Sequence, residues 1–296
     1  MEYRHILHML SPLGHVSPFD VNMAVDAGFE VVVPYTRVEL KEVGGLIQDA
    51  IFSRGPKGAR ATGAFIGGKN AELALDMLAA AKKAMVPPFE ISVFADPAGS
   101  FTTAAAMVAK VEKAVAQHKG LAGRKVVIYG GTGVIGFASA VITALQKAHP
   151  VLVGYDGPER VKALAESAKK RFGVEIGHAD GSSEAANSAA LSDAEIVLSA
   201  PRAGVRVLSK DQLAGASKLL VAADVNAVPP ASLEGIGVQD DGEAIAGSQA
   251  PGIGALAIGG VKYKVQAGLL KRMIETDKPV YLDFRDAFDL ARQIVG

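Results

Sequence analysis

The sequence has 296 residues, which is long enough for a sizeable core and suggests two domains. Lys and Arg total 31, as do Asp and Glu, and this lack of net charge argues against nucleic acid or a membrane surface as a partner. Cysteine is absent, which excludes disulfides, thiolate metal sites and a cysteine nucleophile. The histidines are scattered, no apolar run is long enough to span a bilayer, and residues 1–5 do not resemble a signal peptide. We therefore expect a soluble, cytoplasmic enzyme without a metal site.

Strand and helix patterns alternate over residues 1–118, which predicts an α/β domain. Ser17 followed by Pro18 is typical of a helix start, with Ser17 at the N-cap. The predicted strands span 2–10, 29–35, 64–66 and 90–95, and the predicted helices span 18–27, 38–50, 71–85 and 104–117.

A polar loop, Asp96 to Thr103, follows the predicted strand 90–95. Open α/β sheets bind ligands at the carboxyl ends of their strands, so this loop is a candidate binding site. The hydroxyl of Ser100 or of Thr102 could instead simply cap the helix that follows.

A strand, a glycine-rich turn and a helix follow one another at residues 125–145. Gly131, Gly133 and Gly136 form G-x-G-x-x-G, the dinucleotide-binding pattern, in the structural context that the pattern requires. We assign the tight turn to Gly131, close approach of a pyrophosphate to Gly133, and helix–strand packing to Gly136. The alternative is a glycine-rich turn that binds nothing. The predicted cofactor-binding residues in this segment are Gly131, Thr132, Gly133, Val134, Ile135 and Gly136.

The predicted strand 151–156 ends at Asp156, 20 residues after Gly136, near the usual place for an acid that binds the adenosine ribose. A carboxylate there favours NAD, whereas Arg160 in the next helix could bind the phosphate of NADP. The alternative for Asp156 is a solvent-facing turn residue.

The rest of the chain completes a predicted Rossmann domain over residues 119–266. Ala200 ends one buried strand and Asn226 follows another, so we predict that both contact the cofactor. Residues 252–264 are predicted to form a glycine-rich loop that carries Lys262, for which the alternative is a surface lysine. Helices are predicted over 267–275 and 283–294, and we expect residues 267–296 to pack on the first domain.

Several segments together resemble one family, the NAD(P)-dependent methylene-tetrahydromethanopterin dehydrogenases of methylotrophic bacteria. The glycine pattern alone is generic, whereas the Asp96 loop and residues 254–264 are specific to this family. Tyr155-Asp156 stands where a strictly NADP-dependent branch is expected to carry a basic residue, so the resemblance implies use of NAD with NADP as a possible second cofactor. The segments that carry it are 51–55, 65–68, 96–106, 131–136, 224–230 and 254–264.

The resemblance implies hydride transfer from methylene-tetrahydromethanopterin to NAD(P)+ in formaldehyde oxidation, carried out by a homo-oligomer. The methenyl product is a cation stabilised by two nitrogens, and no proton moves in that step, so no general base is required. It implies Lys262 and Asp96 as catalytic residues, and Asp20, Ser100, Phe101, Thr102 and Arg54 as residues of the substrate side.

Three alternatives stay open at this point. The nearest is the same hydride transfer on methylene-tetrahydrofolate, because the reacting centre is common to both carriers. An amino-acid or shikimate-type dehydrogenase would need a proton-shuttling pair, for which Lys262 with Asp96 is the candidate. A dinucleotide sensor without catalysis would leave the polar loops at the strand ends unexplained.

Overall fold

The structure, a computed structural model, describes residues 3–296. Its strands are β1 (Ile6–Leu10), β2 (Val31–Tyr35), β3 (Thr62–Ile66), β4 (Ser92–Ala95), β5 (Lys125–Tyr129), β6 (His149–Gly154), β7 (Gly177–Asp180), β8 (Ile196–Ser199), β9 (Val221–Asp224), β10 (Asp241–Ala244), β11 (Pro251–Ile253) and β12 (Tyr281–Leu282). Its helices are α1 (Pro18–Asp26), α2 (Leu40–Phe52), α3 (Gly55–Ala59), α4 (Ala71–Lys83), α5 (Ser100–Ala114), α6 (Val134–Leu145), α7 (Glu159–Phe172), α8 (Glu184–Leu191), α9 (Lys210–Gly215), α10 (Ala255–Glu275) and α11 (Phe284–Val295).

The chain divides into two compact units. The first unit contains the described residues up to Thr102 together with Tyr263–Leu290, and the second contains Thr103–Lys262 and Ala291–Gly296. These boundaries fall inside α5, α10 and α11, whereas the sequence predicts domain boundaries at 118/119 and 266/267. The division into domains with the bounds that the sequence suggests stays a prediction.

The first unit is built on a parallel sheet with the strand order β12-β4-β3-β1-β2. All five residues of β3 are buried, as expected for a parallel strand covered on both faces. From β1 the chain first adds β2 on one side of the sheet and then β3 on the other side. This change of direction between β1 and β3 creates a crevice at the carboxyl ends of the two strands. The sequence predicts that the first strand starts at residue 2, which lies outside the described residues. Within the described residues, the strand begins at Ile6.

The second unit has the order β10-β11-β9-β8-β5-β6-β7, parallel except for β10. The chain reverses between β5 and β8, which is the arrangement of a Rossmann-like nucleotide fold. Apolar residues of β5, β8 and β9 form its buried centre, including Val127, Val197 and Ala222. The predicted fold class, α/β with a Rossmann-like parallel sheet in the nucleotide domain, is therefore confirmed.

The predicted glycine-rich loop 252–264 is wrong, because this segment forms β11 and the first half of the 21-residue helix α10. Glycine costs a helix about 1 kcal/mol relative to alanine, so Gly259 and Gly260 weaken the helical pattern of the sequence. Burial of Ile258, Val265 and Leu269 on α10 outweighs this cost.

No helix within residues 3–296 is long and apolar enough to cross a membrane. No group of three or more His, Cys, Asp or Glu side chains in the same range is arranged to hold a metal ion.

Candidate functional sites

The turn between β5 and α6 depends on glycine at Gly130 and Gly131. Gly130 has a φ of +76°, and a Cβ added there would overlap the carbonyl oxygen of Ala200. Gly131 lies within this turn, which a bond from the N–H of Gly133 to the carbonyl of Gly130 at 3.0 Å closes, but the left-handed residue of the turn is Gly130. Gly131 is required for packing, because its added Cβ would lie 3.0 Å from Cβ of Leu152 and 3.1 Å from Cγ1 of Val161.

Gly133 and Gly136 bring the start of α6 close to this turn. An added Cβ on Gly136 would lie 2.6 Å from the Gly130 oxygen, so the helix reaches the turn only without a side chain there. Gly133 is the N-cap of α6, and the atoms nearest its added Cβ are the oxygens of Gly130 at 3.3 Å and Ala200 at 4.0 Å. The N–H groups of the first helical turn have no acceptor within the helix and attract anions.

A cavity of about 420 Å³ adjoins this turn at the carboxyl ends of β5, β6 and β8. It contains three of the predicted cofactor-binding residues, Thr132, Gly133 and Ala200. A concave site at the reversal point, bounded by glycines and a helix N-terminus, fits the pyrophosphate of a dinucleotide. The other lining residues, not named as binding residues from the sequence, are Tyr129, Gly130, Val153, Tyr155, Gly181, Asn187, Pro201, Arg202, Val205 and Val207.

Asp156 and Arg160 do not line this cavity, but they lie next to its lining residue Tyr155. Nη1 of Arg160 donates to Oδ2 of Asp156 at 2.9 Å and to the hydroxyl of Tyr155 at 3.2 Å. The hydrogen bond to Asp156, and to a smaller extent the bond to Tyr155, raises the pKa of Arg160. The two predicted selectivity residues are thus joined to each other.

Asn226 shapes the loop that follows β9. Its Oδ1 accepts a bond from the N–H of Gly204 at 3.3 Å, and its Nδ2 donates to the carbonyl of Pro230 at 2.8 Å. The preceding Asp224 accepts from the N–H of Asn226 at 2.9 Å, and burial raises the pKa of Asp224. Through these bonds Asn226 holds the loop in its conformation, and its contact with a cofactor stays a prediction.

The first unit has its own cavity of about 260 Å³ at the carboxyl ends of β1 and β3. This is the reversal point of its sheet, where α/β folds bind ligands. Apolar side chains form most of the wall, and Asp20 and Lys69 supply charged groups. The lining residues are Met9, Leu10, Ser11, Leu13, His15, Val16, Ser17, Pro18, Asp20, Phe65, Gly67, Gly68, Lys69 and Ala98.

Asp20 lies in the first turn of α1 and is only 5% exposed. Its Oδ1 accepts a 2.8 Å bond from Nε2 of Gln266, which is itself fully buried. A carboxylate that is buried, oriented and at a cavity wall is suited to bind a ligand that presents N–H donors.

Backbone strain occurs at the same cavity. Ala98 has a φ of 54°, a left-handed conformation that costs a residue with a side chain about 1–2 kcal/mol. Gly68 has a φ of +114°, and a Cβ added there would lie 3.0 Å from Cγ of Pro12. Strained residues often mark ligand sites, because the surrounding structure holds them in place for function.

Comparisons with known proteins identify the family. Residues 18–98 match the family described as "Methylene-tetrahydromethanopterin dehydrogenase, N-terminal". The chain is 55% identical over 295 residues to the NAD(P)-dependent methylenetetrahydromethanopterin dehydrogenase of Methylorubrum extorquens, covering 99% of both chains. The chain belongs to the NAD(P)-dependent methylenetetrahydromethanopterin dehydrogenases.

Two more distant similarities agree with this family and with the fold. The bifunctional protein MdtA of the same organism is 33% identical over 278 residues, which is 94% of each chain. Quinate dehydrogenase from Corynebacterium glutamicum in complex with NAD has a TM-score of 0.56 at 13% identity, over 98% of this chain and 99% of that one. At this identity the likeness concerns the fold alone, so it does not favour a quinate- or shikimate-type activity.

In this member of the methylenetetrahydromethanopterin dehydrogenases, Asp96 and Thr102 have clear structural partners. Asp96 is fully buried and accepts bonds from the N–H of Phe101 at 2.9 Å and the hydroxyl of Thr102 at 2.7 Å. Phe101 is also fully buried and packs edge-on against Phe284, with ring centroids 5.1 Å apart. The carboxylate of Asp96, and not a hydroxyl, accepts from the first N–H groups of α5, those of Phe101 and Thr102, while the Thr102 hydroxyl is itself a donor to Asp96. Ser100 is partly exposed.

Arg54 lies at the other end of the first unit's sheet. Its Nη1 donates to Oγ1 of Thr62 at 2.9 Å, its Nη2 donates to the carbonyl of Arg4 at 3.0 Å, and its guanidinium lies 5.0 Å from the ring centroid of Tyr3. Thr62 is the first residue of β3, whereas the cavity lies beyond the last. The structure therefore does not bring Arg54 to the cavity, and it gives no support to the predicted contact of Arg54 with the substrate.

Some functional candidates were missed because their role depends on tertiary contact. Lys69 follows two glycines at the end of β3, and that position was an available sequence indication. Gln266 gave no such indication, since its partner Asp20 lies 246 residues away. Lys262 lies within α10 and is partly buried, and its catalytic role stays a prediction.

Proposed function

We propose that this protein oxidises methylene-tetrahydromethanopterin to methenyl-tetrahydromethanopterin with NAD(P)+ as the hydride acceptor. The observation that carries the proposal is the 55% identity over 99% of both chains to a dehydrogenase named for this substrate and cofactor. The glycine turn and cavity of the second unit support it, because they fit a dinucleotide.

The second unit supplies the nucleotide site. The N–H groups at the start of α6, from Val134 to Gly136, bind the pyrophosphate, and Gly133 keeps the approach open. Ala200 and Thr132 line the cavity beside this turn. Asp156 and Arg160 bind the adenosine ribose beside the cavity. When bound, NAD(P)+ supplies a nicotinamide ring that accepts the hydride.

The cavity of the first unit supplies the pterin site. The edge of a pterin ring presents adjacent N–H donors, and the carboxylate of Asp20 is the acceptor that suits them. Gln266 fixes the orientation of that carboxylate, while Leu10 and Phe65 offer apolar surface to the ring. Lys69 at the same wall is suited to a carbonyl oxygen.

Catalysis then depends on position rather than on proton transfer. The methylene carbon loses a hydride and becomes a methenyl cation shared by two nitrogens, so no residue needs to take a proton. The protein lowers the barrier by holding the donor carbon in place and excluding water. We retain Lys262 as a positioning residue for the substrate and assign Asp96 to the helix cap.

The decisive experiment is a steady-state assay with both carriers and both nucleotides. We expect nucleotide reduction with methylene-tetrahydromethanopterin, and a slower hydride step when the methylene group carries deuterium. Methylene-tetrahydrofolate is the comparison substrate. A kcat/KM for the folate carrier equal to or above that for the methanopterin carrier would contradict the proposal.

The cellular role is inferred from the family to which the chain belongs. We infer a role in one-carbon metabolism of methylotrophic bacteria, in formaldehyde oxidation, by a cytoplasmic homo-oligomer. Mass photometry at nanomolar concentration tests the oligomer, and a single species of 30.5 kDa would contradict it.

A further inference from the structure

The loop that follows β8 forms one wall of the cavity in the second unit. Pro201, Arg202 and Val205 of this loop line the cavity. The loop starts against the glycine turn, since a Cβ added to Gly130 would lie only 2.2 Å from the carbonyl oxygen of Ala200. Arg202 follows Ala200 by two residues, so the loop brings it to the same cavity as the turn.

Arg202 differs in its charge from the rest of the cavity wall. Within residues 3–296, it is the one lining residue with a charged side chain. This side chain is exposed and forms no ion pair or hydrogen bond with another residue of that range. Arg206 on the same loop, by contrast, pairs with Glu234 at 3.0 Å. The guanidinium of Arg202 therefore keeps its N–H donors for an anionic ligand.

Asn226 holds the turn that carries Arg202. The N–H of Val205 donates to the carbonyl of Arg202 at 3.2 Å, and Gly204 between them has a φ of +75°. The N–H of Gly204 donates to Oδ1 of Asn226 at 3.3 Å. The amide of Asn226 is itself fixed, because it is only 6% exposed and its Nδ2 donates to the carbonyl of Pro230 at 2.8 Å. Asn226 thus reaches the cavity wall through the backbone of Gly204.

The buried carboxylate of Asp224 fixes the loop from which Asn226 acts. Its Oδ1 accepts from the N–H of Asn226 at 2.9 Å, and its Oδ2 accepts from the N–H groups of Ser232 at 2.8 Å and Leu233 at 3.0 Å. The carbonyl of Ser232 then accepts from the N–H of Val207, another lining residue, at 2.9 Å. The loop after β9 therefore supports the cavity wall at two points.

We propose that Arg202 binds the pyrophosphate of the dinucleotide and that Asn226 is the residue that positions it. The guanidinium of Arg202 donates to phosphate oxygens, together with the N–H groups at the start of α6. Asn226 acts through the turn at Gly204 and does not touch the cofactor. This proposal rests on the proposed function, because it requires that the cavity takes a dinucleotide.

The role of Arg202 predicts which ligands lose affinity. NAD+, NADH and ADP-ribose share the pyrophosphate, whereas ADP-ribose lacks the nicotinamide. We expect Arg202→Gln to weaken the binding of all three by the same factor, about tenfold. Arg202→Lys keeps the positive charge and should recover part of this loss. A residue that contacts the nicotinamide would leave the binding of ADP-ribose unchanged.

The role of Asn226 predicts that two substitutions do not add. Asn226→Ser keeps a hydroxyl that can accept from the nearby N–H of Val228, which preserves the local turn, but its shorter side chain loses the bond to Gly204. We expect Asn226→Ser to weaken ADP-ribose binding severalfold in the wild type and by less than twofold in the Arg202→Gln background. Direct contact of Asn226 with the cofactor would give the same cost in both backgrounds.

The experiment is calorimetric titration of the full chain with NAD+, NADH and ADP-ribose in the absence of substrate. The variants are Arg202→Gln, Arg202→Lys, Asn226→Ser and the double variant Arg202→Gln/Asn226→Ser. Arg206→Gln is the matched control, because it removes a cation from the same loop at a position that does not line the cavity. We expect the control to keep all three affinities within twofold of the wild type.

The outcomes separate this proposal from the proposed function. Native affinity for ADP-ribose in Arg202→Gln, or equal costs of Asn226→Ser in both backgrounds, would overturn the proposal while the dehydrogenase function stands. A loss in Arg206→Gln as large as that in Arg202→Gln would also overturn it, since the effect would then come from net charge alone. Failure of the wild type to bind NAD+, NADH and ADP-ribose would overturn both proposals.

Discussion

Gln266 donates a 2.8 Å hydrogen bond from Nε2 to Oδ1 of Asp20, which lies 246 residues earlier in the chain. Both side chains are buried, at 0% and 5% exposure. A buried carboxylate requires hydrogen-bond donors, and the one that α10 provides also orients Asp20 at the cavity of the first unit. This bond connects the last third of the chain with the predicted substrate site.

Replacing Gln266 by Leu should therefore affect the substrate site and stability together. Removal of one donor to a buried carboxylate should lower the free energy of unfolding by about 1–3 kcal/mol. The KM for the methanopterin substrate should rise about tenfold if the bond orients Asp20. Urea unfolding and steady-state kinetics measure the two effects. The affinity for NAD in a binding titration is the control, and an unchanged KM would remove Asp20 from the substrate site.

The glycine turn predicts a second variant. Gly133→Val places a branched side chain where the pyrophosphate approaches the backbone, so nucleotide binding should fall by at least about a hundredfold while the circular dichroism spectrum stays native. Gly45→Val in α2 is the control, because an added Cβ there meets nothing within 4 Å. Native nucleotide affinity in Gly133→Val would exclude this turn as the binding site.

Much of this architecture could be predicted from the sequence, and the reasons for the failures are physical. Strands such as β5 and β8 are almost entirely buried and mostly apolar, so the pattern indicates them directly. β10 was missed because its four residues are exposed and carry no hydrophobic pattern. β12 was missed because it has only two residues and depends on pairing with β4. Ser17 stands at the N-cap of α1 as predicted, but its side chain makes no capping bond.

The candidate functional sites also contain residues that the sequence could predict and residues that it could not. The glycine pattern around Gly133 is local, so the sequence was enough to locate the turn. Tyr155 and Gln266 act through contacts with Arg160 and Asp20, and only the folded chain shows these pairs. Asp96 is the opposite case. The sequence suggests a binding residue, because Asp96 is polar and follows a strand, but in the folded chain its carboxylate caps the helix that follows.

The cap around Asp96 predicts a structural rather than a chemical defect. Asp96→Ala removes the acceptor for two backbone N–H groups and the Thr102 hydroxyl, and should lower the free energy of unfolding by about 1–3 kcal/mol. Asp96→Asn keeps one oxygen acceptor and should recover part of that loss. Asn70→Ala, which removes the cap of α4, is a control for the effect of a lost cap on kinetics. A large fall in kcat for Asp96→Asn with native stability would restore the catalytic role.

His8 gives a prediction for the dependence of stability on pH. Burial, and then the charge of Arg54, hold the pKa of His8 below its ordinary 6.5 in the folded chain. Between these two values the unfolded chain binds more protons, so the free energy of unfolding rises with pH. The contribution is complete above pH 6.5 and is lost as the pH falls through 6.5 towards the folded pKa. Urea unfolding from pH 5 to 8 should show a smaller slope in His8→Gln than in the wild type, and an unchanged slope would contradict the prediction.

The last prediction concerns the hydride step itself. Alcohol and amine dehydrogenases move a proton with the hydride, so their chemical step follows a titrating group. The methenyl product keeps its charge, so the rate of single-turnover nucleotide reduction should be nearly flat across neutral pH. A deuterated methylene donor confirms that the hydride step is being observed. Lys262→Met should lower this rate through misplaced substrate and leave the profile flat. If the wild-type profile is bell-shaped and isotope-sensitive and Lys262→Met loses one limb, Lys262 transfers a proton, and the chemistry is that of a lysine-dependent dehydrogenase.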